Sequence, residues 1–275
     1  MNNTSEAPSF DILLGELNQF ILSLVEEYKN GGIRSWDDLD ERVGAFYTPE
    51  RMDAIEAKAP GWKKMASYSD GITLTHVTCV FLGLFMLPEF LALNAEQQQL
   101  AKWIVLFHDI DKFHIRGKRD TMHAFRSGVV AAKVMPKLGF PVNDQYYGLI
   151  KSWSEFTVNA FTLENKETDP KPDNRKLPEI LAGIDRLFGE NAPASLIVKT
   201  ALLHISLDVD KNYPTPSPLT ENEIRQFISR NLFPLLRVMM LVDNEGWSLF
   251  DPEVRARQRK DILNAFQRTE ELISS

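Results

Sequence analysis

Cysteine is almost absent from this chain. Of 275 residues only Cys79 carries a thiol, so no disulfide can form within the chain and a reducing compartment is the natural setting. Cys79 lies in an apolar run, which suits a buried, inert thiol better than a nucleophile. Positive charge is in short supply: 31 Lys and Arg face 38 Asp and Glu, for a formal net charge of −7. That weighs against a nucleic-acid-binding protein, which needs a cationic face. The most apolar stretch, Val77 to Leu87, falls short of the about 20 residues that span a bilayer. Met1 to Phe10 has neither the basic patch nor the apolar segment of a signal peptide. A cytoplasmic protein without membrane attachment is expected. Internal repeats, low-complexity tracts and long alternating β-branched runs are also missing, which leaves helix as the expected element nearly everywhere.

What is present fits a globular, all-α chain. Apolar residues make up 44% and charged residues 25%, an ordinary balance for a protein of this size. Ile12, Leu13, Leu17, Phe20, Ile21, Leu24 and Val25 form a helical stripe within Phe10 to Tyr28, ended by Gly31 and Gly32. Ser35 with Asp38, and Thr48 before Pro49, read as helix starts. Further helices are expected over Thr73–Leu93 with a break near Pro88, Ala95–Phe107, Thr121–Leu138, Asp144–Phe156, Leu177–Phe188, Ala194–Leu207, from Thr220, over Pro234–Glu245 with Gly246 as the stop, and from Asp251 to Ile273. Leu163 to Pro178 and Tyr213 to Pro218 read as loops. We expect one all-α domain, a helical bundle with an N-terminal extension over about 1–65, a core over about 66–250 and a C-terminal helix over 251–275. Arg255, Arg257, Arg259 and Lys260 read as a solvated face of that last helix.

Histidine is scarce, with five in all, and one stands in the run Leu106-Phe107-His108-Asp109-Ile110-Asp111-Lys112. An imidazole and a carboxylate side by side at the end of an apolar helix are two metal ligands in one place. Neighbouring helical residues point about 100° apart, so further ligands must come from other helices. His76 lies early on one buried helix. Asp243 ends the apolar helix Pro234–Glu245, where a buried carboxylate needs a partner. Asp208 competes with Asp243 for the last place. Imidazole plus carboxylate without thiolate suits one divalent ion among Fe, Mn, Ni, Co and Zn. Trp247 and Phe250 are expected to pack down the end of the Asp243 helix, with stacking on a substrate as the alternative.

The pattern His76, His108-Asp109, Asp243, with Lys112 after the dyad and His123 and Ser127 on the next helix, resembles the HD-domain superfamily of metal-dependent phosphohydrolases. The resemblance covers about residues 70–155 well and extends loosely to 250. It implies an all-helical bundle with His76, His108, Asp109 and Asp243 as metal ligands. It also implies hydrolysis of a phosphomonoester or nucleotide by metal-activated water. Asp109, Lys112 and His123 are the expected catalytic residues, with His123 donating to the phosphate rather than ligating. Lys112, Arg116, Lys118, Arg119 and Arg126 form a cationic cluster able to clamp phosphate oxygens.

The chain departs from the family pattern in places. Asp111 stands where many relatives have glycine, placed to tune the metal or to accept a hydrogen bond from a ligand imidazole. Asp111 or Glu155 is the candidate general base. Binuclear members add histidines on the helix after His123, where this chain has Trp153, so a single metal is expected. His204, with Asp208 four residues on, reopens that question. His114 reads as a loop residue without a site role. Two other readings stand beside the enzyme: a regulatory module of the same type that binds metal or nucleotide without turnover, and a two-iron oxygenase, against which Trp153 argues.

Overall fold

Short polar residues and prolines open most helices of the computed structural model, which describes residues 7–67, 72–113, 119–163, 170–209 and 214–274. In chain order the helices are α1 (Phe10–Leu13), α2 (Gly15–Lys29), α3 (Trp36–Phe46), α4 (Pro49–Lys58), α5 (Trp62–Ser67), α6 (Ile72–Leu84), α7 (Pro88–Leu91) and α8 (Ala95–Phe107). They continue with α9 (His123–Val134), α10 (Tyr146–Val158), α11 (Leu177–Phe188), α12 (Pro193–Leu203), α13 (Glu221–Phe227), α14 (Phe233–Trp247) and α15 (Pro252–Ser274). The expected all-α fold is what forms. Among the described residues the strands are a minimal antiparallel pair between β1 (Phe161–Thr162) and β2 (Lys171–Pro172), with Phe161 opposite Pro172. Residues 164–169 of the expected 163–178 loop lie outside the described residues.

The caps act as their residue types dictate. Ser35 Oγ accepts the Asp38 N–H at 3.1 Å and Thr48 Oγ1 accepts from Arg51, with Pro49 in the first turn. Asn94 and Gln97 close a reciprocal capping box on α8, and Thr220 and Glu223 do the same on α13. Asp251 Oδ1 takes the Val254 N–H at 3.0 Å and starts α15. Pro88 separates α6 from α7 as expected.

Three boundaries differ from expectation. The Phe10–Tyr28 segment breaks at Leu14, whose backbone leaves the helical region ahead of Gly15, a poor helix former. Helix α12 stops at Leu203, which makes His204 its C-terminal cap. Gly246 does not end α14 but lies inside it. A Cβ there would sit 2.7 Å from Val80 Cγ2, so this glycine serves the close approach of α14 to α6.

One apolar core runs from Phe10 to Leu272. Helix α1 belongs to it: the Phe10 ring lies 5.6 Å from Phe81 and 5.0 Å from Trp103. Inside it α6 packs along α14, α9 along α12, and α8 touches both pairs. Gly128 on α9 would place a Cβ 3.2 Å from Leu202 Cβ on α12. Cys79 is buried, donates to Gly246 O at 3.1 Å, and has its thiol pKa pushed up by burial, which keeps it inert. Arg259 is not a plain solvated residue, because it reaches Glu89 on α7 at 2.6 Å and Glu245 on α14, tying α15 to the bundle. Among the described residues no helix is long and apolar enough to cross a membrane.

Candidate metal centre

The packed helices bring six ionisable side chains from distant parts of the chain into one buried place. Helix α6 supplies His76, the end of α8 supplies His108 and Asp109, and α14 supplies Asp243. Their ligand atoms lie within 4.8 Å of one another. His76 Nε2 is 2.9 Å from Asp243 Oδ1 and 3.6 Å from Asp109 Oδ2. His108 Nε2 is 3.5 Å from Asp109 Oδ2 and 3.7 Å from Asp243 Oδ1. Ligands about 2.1 Å from a shared ion stand roughly 3–3.5 Å apart, so these four converge as a metal would require.

A second group shares Asp109. His123, the first residue of α9, and His204, the cap of α12, complete it. His123 Nε2 is 3.2 Å from Asp109 Oδ1 and 3.2 Å from His204 Nε2, and His204 Nε2 is 3.8 Å from Asp109 Oδ1. One carboxylate thus turns Oδ2 to the first group and Oδ1 to the second. His123, expected as a phosphate donor, lies among ligand atoms instead. Trp153 is not part of the centre: it packs against Gly183 on α11 and donates to Ile180 O at 3.0 Å. The expectation of a single metal rested on Trp153, and His204, which reopened that question, supplies the second histidine of this group. Leu203-His204 closes an apolar helix just as Phe107-His108 does, and that parallel was the available signal.

Three of the four imidazoles are locked by their own backbone. His108 Nδ1 meets Val105 O at 2.8 Å, His123 Nδ1 meets Asp120 O at 2.5 Å, and His204 Nδ1 meets Ala201 O at 2.6 Å. Val105 and Ala201 lie in the last turns of α8 and α12, where carbonyls lack intrahelical partners. An Nδ1–H given to a carbonyl fixes the tautomer and leaves the Nε2 lone pair for a ligand. His108 Nε2 and Asp109 Oδ1 are buried and have no hydrogen-bond partner among the described residues. Such orphaned atoms are costly, and here both point into the ligand groups. The donor set fits a divalent transition ion, and Asp109, facing both groups, fits a pair of them.

Charge in the centre is balanced internally. Burial opposes the ionised Asp109, yet Lys112, His108 and His123 overcome it and hold the carboxyl well below the usual range. Burial likewise opposes the Asp243 charge, and His108 and His76 outweigh it. His204 is pushed down to about 3, first by burial and then by His123 and His108, so it is neutral and ready to ligate. Burial lowers His123 as well, with Lys112 adding to it. Lys112 Nζ grips Asp109 Oδ2 at 2.6 Å and remains charged.

Among the described residues of the expected phosphate clamp, Arg126 and Arg119 are engaged elsewhere. Arg126 is held by Asp120 and by the Asp111 carbonyl at 3.0 Å, and lies 4.5 Å from the Phe113 ring. Arg119 donates to Pro214 O at 2.6 Å. Arg116, Lys118 and His114 lie outside the described residues. Among the described residues of that cluster, only Lys112 stands at the ligand groups. Asp111 does not meet a ligand imidazole; it pairs with Lys64 of α5 at 2.8 Å, and its N–H donates to Ser127 Oγ at 3.1 Å. Glu155 is exposed on α10, in a groove with Lys133 and Lys151. Asp208 is exposed and caps a turn through the Thr215 N–H at 3.2 Å. Asp208→Ala is therefore expected to leave metal content unchanged, whereas Asp243→Ala removes a ligand of the first group. Metal analysis of the two variants checks this, and loss of metal in Asp208→Ala would reverse the assignment. No family model, curated protein or solved structure matches the chain.

Proposed function

We propose that this chain is a metal-dependent phosphohydrolase of the HD-domain type, acting on a phosphomonoester or nucleotide. The observation that carries the reading is Asp109, whose two oxygens face two ligand groups built from four buried histidines and Asp243. The order His76, His108-Asp109, Asp243 along an all-helical chain supports the family resemblance. We further propose that His76, His108, Asp109 and Asp243 hold one divalent ion, and Asp109, His123 and His204 a second. Bound there, such ions supply Lewis acidity toward a phosphoryl oxygen and lower the pKa of water.

The protein's own groups do the rest. Lys112 holds Asp109 and places a cation beside the centre, where a phosphoryl oxygen gains charge. The carbonyls of Val105, Asp120 and Ala201 keep three imidazoles aimed inward, so binding costs little reorganisation. Burial strengthens these interactions by excluding water. A second reading, dioxygen chemistry at two irons, gains support from His204, because a second histidine-bearing group exists without Trp153.

The test is metal analysis of the purified protein, followed by a screen of phosphomonoesters and nucleotides with Mn, Co, Ni and Fe, run first without oxygen and then, for the iron form, with it. We expect about two ions per chain by the ligand groups and turnover that Asp109→Ala abolishes. A protein that takes up no divalent ion sinks the proposal. Binding without turnover transfers it to a regulatory module, and oxygen consumption by the iron form without hydrolysis transfers it to an oxygenase.

A further inference from the structure

His76 differs from the other three imidazoles. Its Nδ1 is buried with no hydrogen-bond partner among the described residues, so no carbonyl sets its ring plane. Instead the ring lies on the indole of Trp247, with centroids 4.0 Å apart and planes 16° from parallel. Trp247 ends α14, one turn after Asp243, and so shares its face. Trp247 is 47% exposed, a large aromatic residue half in water beside a buried ionic cluster. Lys112 Nζ lies 5.8 Å from the same ring. Trp36 of α3 lies 5.9 Å from Trp247 and 5.9 Å from Phe250, and Tyr28 of α2 lies 6.1 Å from Phe250. Tyr28 Oη also donates to Leu249 O at 3.3 Å. The N-terminal helices thus press a cluster of tilted and edge-on aromatic rings against the end of α14, and the cluster ends in the stacked contact of Trp247 with His76.

We propose that Trp247 is a positioning residue for His76, and that Trp36 from the N-terminal extension holds Trp247 in place. Stacking fixes the His76 ring plane and keeps Nε2 directed at Asp243 and Asp109, as backbone carbonyls do for His108, His123 and His204. The proposal rests on the reading of His76, His108, Asp109 and Asp243 as a metal-binding group. It gives the first part of the chain a role at the centre, although none of its described side chains belongs to a ligand group.

The test titrates the full chain with Co(II), following visible absorption and heat. The proteins are wild type, Trp247→Ala, Trp247→Phe and Trp36→Ala. Loss of an orienting partner weakens metal binding by roughly 10-fold or more. Trp247→Ala is expected to lose that much at the first group, with the second group of His123 and His204 unchanged and serving as a control for folding. Trp247→Phe restores most of the affinity because it keeps an aromatic face, and Trp36→Ala shows a smaller loss. Unaltered cobalt affinity and spectrum in Trp247→Ala, beside a wild type that binds cobalt, overturns this proposal alone. A raised KM for a phosphomonoester with unchanged cobalt affinity also overturns it, making Trp247 a substrate contact. A wild type that binds no cobalt overturns the metal reading and this proposal together.

Discussion

Asp109→Ala is expected to strip both ligand groups of metal at once and to bring turnover to background, because no other described residue belongs to both. The same change has a second effect on the metal-free chain. Asp109 is the partner of Lys112, whose side chain is 20% exposed. It also supplies much of the field that keeps His108 above its ordinary pKa against the opposing effect of burial. Removing one member of a buried pair costs about 3–5 kcal/mol, and the partial exposure of Lys112 places this case near the lower end. Lys112→Met added to Asp109→Ala removes the stranded ammonium, so it is expected to recover stability without recovering metal. Thermal melts in chelator, with metal analysis of the same proteins before chelation, separate the two effects. A single variant that keeps two ions per chain would show that Asp109 is not the shared ligand.

Gly246→Ala should damage the centre from outside it. The new Cβ would meet Val80 Cγ2 at 2.7 Å, with Val80 Cα at 3.4 Å and Val80 N at 3.5 Å behind it. Val80 is β-branched and has few rotamers to escape into, so α14 must move away from α6. Overpacking of this kind costs about 1–3 kcal/mol. Val80 lies one turn after His76 and Gly246 three residues after Asp243, so the displacement opens the 2.9 Å approach of His76 to Asp243. Weaker metal binding at the first group is expected along with the lower melting point, and Val80→Ala should rescue both. Gly183→Ala is the contrast: its Cβ would lie 2.3 Å from Trp153 Cδ1, away from the ligands. It should lower stability while leaving the metal affinity of surviving protein intact. Wild-type stability and metal binding in Gly246→Ala would show that the helix spacing does not depend on this glycine.

Much of the fold was legible because its signals are local. Asn94 with Gln97, Thr48 with Pro49 and Thr220 with Glu223 open helices through hydrogen bonds a few residues long. His76 and Asp243 could be singled out because a polar group inside an apolar helix needs a reason. What was not legible depends on contacts between distant segments. Gly246 looks like a helix stop until Val80 is seen against it. Arg126 looks free for phosphate until Asp120 and Asp111 are found beside it. His204 was weighed as the far end of a continuing helix, but α12 stops at Leu203 and turns the imidazole toward His123. Asp208, beyond that stop, falls on the surface.

The ligand atoms span the chain from residue 76 to residue 243 and come from α6, α9, α14 and the ends of α8 and α12. An ion held by them is a cross-link between segments that meet only after the core has closed. It binds the folded chain and not the unfolded one, so at a free concentration of 1,000 times its dissociation constant it adds about 4 kcal/mol to folding stability. Loss of any one of these helices releases the cross-link, which couples their local openings into a single event. The supply of metal would then set both the chemistry of this protein and its lifetime against proteolysis.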